Sequence, residues 1–243
     1  MFCRTFWLPK QGNTVDEYED ASAVDTRRGC FAITDGATES SFAGTWAQLL
    51  TQGFINLPSG AIPPCESWLP PLRQRWLEQV TGRPLPWYAE AKLAQGAFAT
   101  FLGLMVSRRR GALRRWQAIA VGDSCLFHLR QDRLHHKFPI ACSSEFGSTP
   151  WMLSSRPPTA AVKPPVESRA TGSWRLGDRF WLMTDALAQW FLCQAEAGAY
   201  PWHTVQPVLD ARDGASAFQH WIETLRGKQQ LRNDDVTLVA IQL

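Results

Sequence analysis

The sequence lacks a long apolar run, a surplus of either charge, a cysteine pair and any compact catalytic signature. Its longest apolar stretch, residues 97–106, falls well short of the roughly 20 residues that a membrane helix needs. The opening residues Met1-Phe2-Cys3-Arg4-Thr5-Phe6-Trp7-Leu8-Pro9 are too few and too aromatic for the apolar region of a signal peptide. No membrane association is expected. Lys and Arg total 25 against 22 Asp and Glu, a net charge of +3. That balance excludes a polybasic binder of nucleic acid, though not a local basic patch. The six cysteines (Cys3, Cys30, Cys65, Cys125, Cys142 and Cys193) form no CxxC and show no metal-ligand spacing. Several sit in apolar runs, where a free thiol acts as a small hydrophobe, so a reduced, cytoplasmic compartment is expected. No Ser-His-Asp set, phosphate-cradling glycine loop, internal repeat or low-complexity tract stands out.

What is present is a core. Of 243 residues, 45% are hydrophobic, enough for one domain over residues 1–243. The twelve tryptophans read as bulky packing. Apolar runs bounded by turn residues predict strands at 3–8, 20–24, 30–34, 97–106, 113–121, 124–130, 173–176, 180–184 and 236–242. Helical spacing of Phe42, Trp46, Leu49, Leu50 and Phe54 predicts an amphipathic helix over 40–56. Further helices are expected at 68–80, 87–95, 187–197 and 215–225. The order, mostly strands with helices inserted in pairs, points to an α+β sandwich of antiparallel sheets covered by helices. A proline-bearing irregular stretch, about 142–166, is long enough to be functional.

The acids fall at strand ends. Glu19-Asp20 opens one strand, Thr26-Arg27-Arg28-Gly29 turns, and Asp35-Gly36 closes the returning strand. An antiparallel pair sets the start of its first strand beside the end of its second, so Glu19, Asp20 and Asp35 gather at one end. The same logic joins Asp185, at the end of Phe180-Trp181-Leu182-Met183-Thr184, to Asp234, which opens the last strand. Asp123 lies on the turn Gly122-Asp123-Ser124 between two more strands. Acids so gathered repel one another unless cations neutralise them. Oxygen donors without His or Cys point to magnesium or manganese. Two such ions about 3.5–4 Å apart can hold phosphate oxygens and activate a shared water as nucleophile.

At these residues the chain resembles the metal-dependent protein phosphatase family, the type 2C serine/threonine phosphatases, in a bacterial-type form. The matching segments are Glu19-Asp20-Ala21, Asp35-Gly36, Gly96-Ala97-Phe98-Ala99-Thr100, Gly122-Asp123-Ser124, Thr184-Asp185 and Asp234-Asp235-Val236-Thr237, in the family's order. The resemblance implies an α-β-β-α sandwich with two Mn2+ or Mg2+ ions between antiparallel sheets. It makes Asp35 the bridging ligand, puts the Gly36 carbonyl on one ion, and gives the other to Asp185 and Asp234. Glu19 and Asp20 would act directly or through water, and Asp123 would help hold a weaker third ion. The substrate would be phosphoserine or phosphothreonine on a protein, a Ser/Thr kinase or its target, cleaved without a phosphoenzyme.

Departures from the family pattern surround that centre. Where members usually carry a phosphate-holding Arg before the Glu-Asp pair, this chain has Thr14-Val15-Asp16-Glu17-Tyr18, leaving Lys10 or Arg4 to hold the phosphate. Ala37 replaces a frequent His, Ala186 a Gly, Gln189 an acid and Asp235 a common Asn. With no acid at Ala37, leaving-group protonation falls to water, and a third ion loses a donor at Gln189. These changes keep open an alternative, a catalytically weak pseudophosphatase that binds phosphoproteins as a regulator. A metal-dependent phosphatase for small phosphate esters is a further alternative. His128, His135 and His136 have no acid at ligand spacing and are expected at the surface or rim. Arg108-Arg109-Arg110-Gly111 reads as a solvated hairpin tip, and 142–166 as a flap beside the metals.

Overall fold

The computed structural model describes residues 1–81, 93–107, 114–147, 149–157 and 165–243. Its first strands are β1 (Phe2–Leu8), β2 (Ala21–Asp25), β3 (Cys30–Thr34), β4 (Phe98–Ala99), β5 (Phe101–Val106) and β6 (Arg115–Val121). They are followed by β7 (Cys125–Arg130), β8 (Arg133–Phe138), β9 (Leu153–Ser154), β10 (Ser168–Ser173), β11 (Arg179–Met183) and β12 (Val236–Gln242). The helices are α1 (Ala43–Ile55), α2 (Pro70–Val80), α3 (Asp185–Glu196), α4 (Pro201–Asp210) and α5 (Gly214–Gly227).

Two five-stranded sheets carry the fold. One runs β1-β12-β11-β7-β8 and the other β10-β6-β5-β3-β2, with every pairing antiparallel. Strand alternation builds three cores, because successive side chains leave opposite faces. On β3, Phe31 and Ile33 point between the sheets while Cys30 and Ala32 meet α1 and α2. On β12, Val239 and Ile241 point between the sheets while Val236, Leu238 and Ala240 meet α3, α4 and α5. The result is a four-layer α-β-β-α sandwich. Burying one large apolar side chain contributes roughly 1.5–3 kcal/mol. The middle core (Phe31, Ile33, Leu102, Leu104, Phe180, Leu182, Val239 and Ile241, all at most 1% exposed) can therefore sustain local electrostatic cost at one end.

The differences from the sequence reading are local. The strand expected over 97–106 breaks at Thr100: β4 pairs with β9 in a separate two-stranded sheet, while β5 stays in the large one. Helix α1 starts at Ala43, not residue 40, because Phe42 takes a left-handed φ of 59° and residues 37–40 close a turn. The strand expected at 173–176 is instead β10, an edge strand of alternating exposure whose small polar residues carry no apolar run. Three elements were not among the expected strands and helices: β8, α4 and β9, which is only two residues long. β8 is charged and half-exposed, and α4 contains Pro207, with Pro201 in its first turn. The helix expected at 87–95 and the Arg108–Gly111 tip fall largely or wholly outside the described residues.

Candidate active site

The β2–β3 hairpin places its acids as the spacing requires. Ala21 faces Thr34 and Asp25 faces Cys30, so Glu19, Asp20 and Asp35 share one end. The break at Thr100 has a purpose here. Thr100 N–H donates to the Asp35 carbonyl at 2.8 Å, and Asp35 N–H donates back to Thr100 Oγ1 at 3.2 Å. Gly36 then bridges to Ala99. A Cβ at Gly36 would sit 2.6 Å from the Glu19 carbonyl oxygen and 3.1 Å from Ala43 Cβ. Only glycine lets the hairpin end and the start of α1 close over the same point.

Asp20 is 4% exposed. Its Oδ2 accepts from Thr184 Oγ1 at 3.0 Å and Thr237 Oγ1 at 2.7 Å, while its Oδ1 has no partner. Tyr18 OH shares a 2.5 Å hydrogen bond with Thr237 Oγ1. Asp235 does a different job. Its two carboxylate oxygens accept from the backbone N–H groups of Lys10 and Glu19, each at 2.8 Å. An Asn here offers only one acceptor, so Asp is the residue that holds both segments to the start of β12.

Antiparallel pairing of β11 with β12 brings Asp185 beside Asp234. Asp185 occupies the first turn of α3, where the positive helix end favours a carboxylate. Its Oδ1 accepts from Ala186 N–H at 2.5 Å, and its Oδ2 pairs with Arg232 Nη2. The same Nη2 lies 3.2 Å from Asp234 Oδ2. Asp123 sits where the chain crosses from β6 in one sheet to β7 in the other. Gly122 makes that crossing with φ +103°, and a Cβ there would meet Thr100 at 2.7 Å. Asp123 is 4% exposed and its Oδ1 is unpartnered.

The electrostatics follow from crowding. Burial first, then Asp20, Asp185, Asp234 and Asp123, push the Asp35 carboxyl well above its ordinary range. Burial also raises Asp20, partly offset by Thr237, with Asp235 and Asp185 adding to the rise. Asp185 is raised by burial against the pull of Arg232. Asp123 is raised to about 7, mainly by burial and next by Asp185. Burial raises Glu19 as well, opposed by Thr38 and Lys10.

Of the two cations expected to meet phosphate, Lys10 lies beside Glu19 and Arg4 does not. Lys10 Nζ bonds Thr38 Oγ1 at 3.1 Å and lines a groove of about 430 Å³ with Glu19, Tyr18, Thr38 and Gly44. Arg4 does not reach it. Arg4 pairs with Ala240, four positions along β12 from Val236, roughly 13 Å at a strand's rise, and lines a cavity with Arg179 and Gln206 instead. Part of the irregular 142–166 stretch lies against one of these acids: Glu145, Gly147, Thr149, Pro150 and Trp151 enclose about 190 Å³ with Gly122 and Asp123. Residues 148 and 158–164 of that stretch lie outside the described residues.

The sequence reading missed the hydroxyls of Thr100, Thr184 and Thr237, although each stands in a segment quoted for its acids or glycine. A Thr beside an Asp at a strand end was the available signal. It also missed Arg232. His128 overturns the surface expectation: it is 1% exposed and bonds Asp178 Oδ2 at 2.8 Å. Its acid partner is fifty residues away in sequence, beyond any local spacing rule.

Among the described residues, no group of three or more His, Cys, Asp or Glu side chains is set at metal-holding geometry. The donor chemistry nevertheless fits hard divalent ions. The gathered acids offer only oxygen donors, and two buried carboxylate oxygens, on Asp20 and Asp123, lack any partner. A buried unpaired charge is costly and calls for a cation or a proton. Among the described residues, no helix is long and apolar enough to cross a membrane.

Neither a protein-family model nor a curated protein matches the sequence. Solved structures do. PppA, described as a key regulatory component of T6SS in Pseudomonas aeruginosa, aligns over 100% of this chain and 97% of its own, with 17% identity and a TM-score of 0.58. The Mycobacterium tuberculosis serine/threonine phosphatase PstP/Ppp aligns over 99% and 98%, with 18% identity and a TM-score of 0.59. The PstP catalytic domain in complex with two manganese ions aligns over 98% and 96%, with 17% identity and a TM-score of 0.57. The chain shares their fold from end to end.

Proposed function

We propose that residues 1–243 form a single phosphatase domain that hydrolyses phosphoserine or phosphothreonine in proteins with the help of divalent ions. One observation carries this reading. Buried, unpartnered carboxylate oxygens stand among crowded acids at one end of a fold shared with manganese-bound PstP. Asp35, the Gly36 carbonyl, Asp185 and Asp234 would hold two Mn2+ or Mg2+ ions. Glu19 and Asp20 would serve directly or through water, and Asp123 would serve a weaker third. When bound, such ions neutralise phosphate charge and lower the pKa of water so that it can attack phosphorus.

The chain's own residues supply the rest. Thr184 and Thr237 occupy one oxygen of Asp20 and leave the other as a free acceptor. Asp235 fixes the backbone at Lys10 and Glu19, which presents the Lys10 ammonium as the cation for a phosphate oxygen. Ala37 has no proton to give, so the leaving alkoxide takes its proton from water. The 142–166 stretch, whose Glu145, Gly147 and Trp151 wall the cavity at Asp123, selects the substrate. That substrate is a Ser/Thr kinase or its target in a bacterial cytoplasmic signalling pathway.

A second reading is a catalytically weak pseudophosphatase that binds phosphoproteins, and the pairing of Arg232 with Asp185 and Asp234 favours it. Assays of an aryl phosphate and a phosphothreonine peptide with manganese, for wild type and Asp35→Asn, separate the two. Manganese-dependent turnover that falls by a factor on the order of 10²–10³ in the variant is expected. No turnover in wild type, or equal turnover in both, overturns the catalytic reading.

A further inference from the structure

The acids of the site are not treated alike by the rest of the chain. Arg232 lies on the turn before β12, where Asp234 N–H donates to the Arg232 carbonyl at 3.0 Å. The turn therefore fixes Arg232 and Asp234 to each other. From it the guanidinium reaches across to α3, and a single nitrogen, Nη2, contacts Oδ2 of both Asp185 and Asp234. One positive centre thus bridges two carboxylates, the arrangement a divalent ion would make with them. The other acids have no such partner. Among the described residues, no Lys or Arg pairs with Asp20, Asp35 or Asp123, and an oxygen on each of Asp20 and Asp123 is left without any partner.

We propose that Arg232 is a built-in counter-cation that fills one of the two divalent-ion positions, between Asp185 and Asp234, and must be displaced before a second ion binds. This rests on the reading of the site as a divalent-ion centre. It predicts two unequal positions: one on the Asp35–Asp20 side, open and tight, and one on the Asp185–Asp234 side, weakened by competition. Displacement is feasible because the Arg232 side chain is 45% exposed, so the guanidinium can leave the carboxylates for water at little desolvation cost. A +1 and a +2 charge about 6 Å apart repel by a factor of about ten in affinity even at the dielectric of water. Removing the guanidinium should strengthen the second position by about that factor. The effect needs no substrate and no turnover.

The test is a manganese titration of the metal-free chain, read by calorimetry and by electron paramagnetic resonance, in wild type, Arg232→Ala, Arg232→Gln and Arg232→Lys. In wild type we expect one tight ion with a mononuclear spectrum, and a second ion only at higher manganese. In Arg232→Ala and Arg232→Gln the second ion binds about tenfold tighter, and the exchange-coupled spectrum of an ion pair develops at lower manganese. Arg232→Lys, which keeps the charge, stays near wild type. The Gln variant preserves much of the side chain's bulk, so an effect shared by Ala and Gln but not Lys is one of charge. Equal affinities in wild type and the neutral variants, or weaker second binding in them, overturn the role of Arg232 while leaving the ion centre standing. Absence of any manganese uptake in every variant overturns both.

Discussion

Asp178 at one end of the sandwich and Asp123 at the other are buried to nearly the same degree, 1% and 4% exposed, and their surroundings differ in kind. Asp178 accepts from Arg130 Nε at 3.0 Å and Nη2 at 2.7 Å, from His128 Nε2 at 2.8 Å and from Arg175 N–H at 2.8 Å. Burial would raise its carboxyl, and the Arg130 bonds, aided by Arg175 and His128, outweigh it and hold it low. Asp123 has burial and no cation in contact, and rises to about 7. A buried acid that the chain satisfies is structural. A buried acid left unsatisfied beside others is waiting for something the chain does not contain.

That contrast can be broken from either end. The largest effect is expected at the satisfied end: Asp178→Ala strands Arg130 and His128 and should cost about 3–5 kcal/mol. Urea unfolding would show it, with manganese affinity unchanged. Next comes pH. Because Asp123 binds its proton more tightly folded than unfolded, the metal-free chain should lose stability as pH rises from about 4 to about 7. The loss is up to about 4 kcal/mol at 1.36 kcal/mol per pKa unit. Thermal melts across that range should fall less steeply in Asp123→Asn, the remaining slope coming from Asp35, Asp20 and Asp185, which burial also raises. Asp178, held low, contributes with the opposite sign: its stabilisation is present above the ordinary carboxylate range and is lost only as pH falls below it.

The third effect is catalytic. Asp35→Asn should lower kcat by a factor on the order of 10²–10³, the scale of losing one preorganised electrostatic group. In the absence of metal it should melt no lower than wild type, since it removes a carboxylate that its neighbours repel. The smallest effect is at the rim: Lys10→Ala should raise KM for a phosphopeptide by about tenfold, leaving kcat and manganese affinity close to wild type. A change in manganese affinity in Lys10→Ala would show that the rim and the acid centre are not separable.

Most of the acid end was legible in the sequence. Strands of period two on either side of Thr26–Gly29, and again at the β11 and β12 segments, were enough to bring Glu19 and Asp20 to Asp35 and Asp185 to Asp234, because antiparallel pairing fixes which ends meet. The apolar strands β3, β11 and β12 were legible for the same reason. β8, β10 and α4 were not, since half-exposed edge strands and a proline-bearing helix carry little hydrophobic pattern.

What the sequence determined by itself was therefore the set of acids and their gathering at one end of a two-sheet sandwich: register is a local property written in alternation. What only the tertiary structure decided was the satisfaction of each acid. Thr237 reaching Asp20 across 217 positions, Lys10 and Glu19 resting on Asp235, Arg232 bridging Asp185 and Asp234, and His128 closing on Asp178 join strands and turns remote in sequence. No periodicity encodes such contacts, because a hydrogen bond depends on the position of both partners to within a few tenths of an ångström. That precision arises only once the sheets have packed.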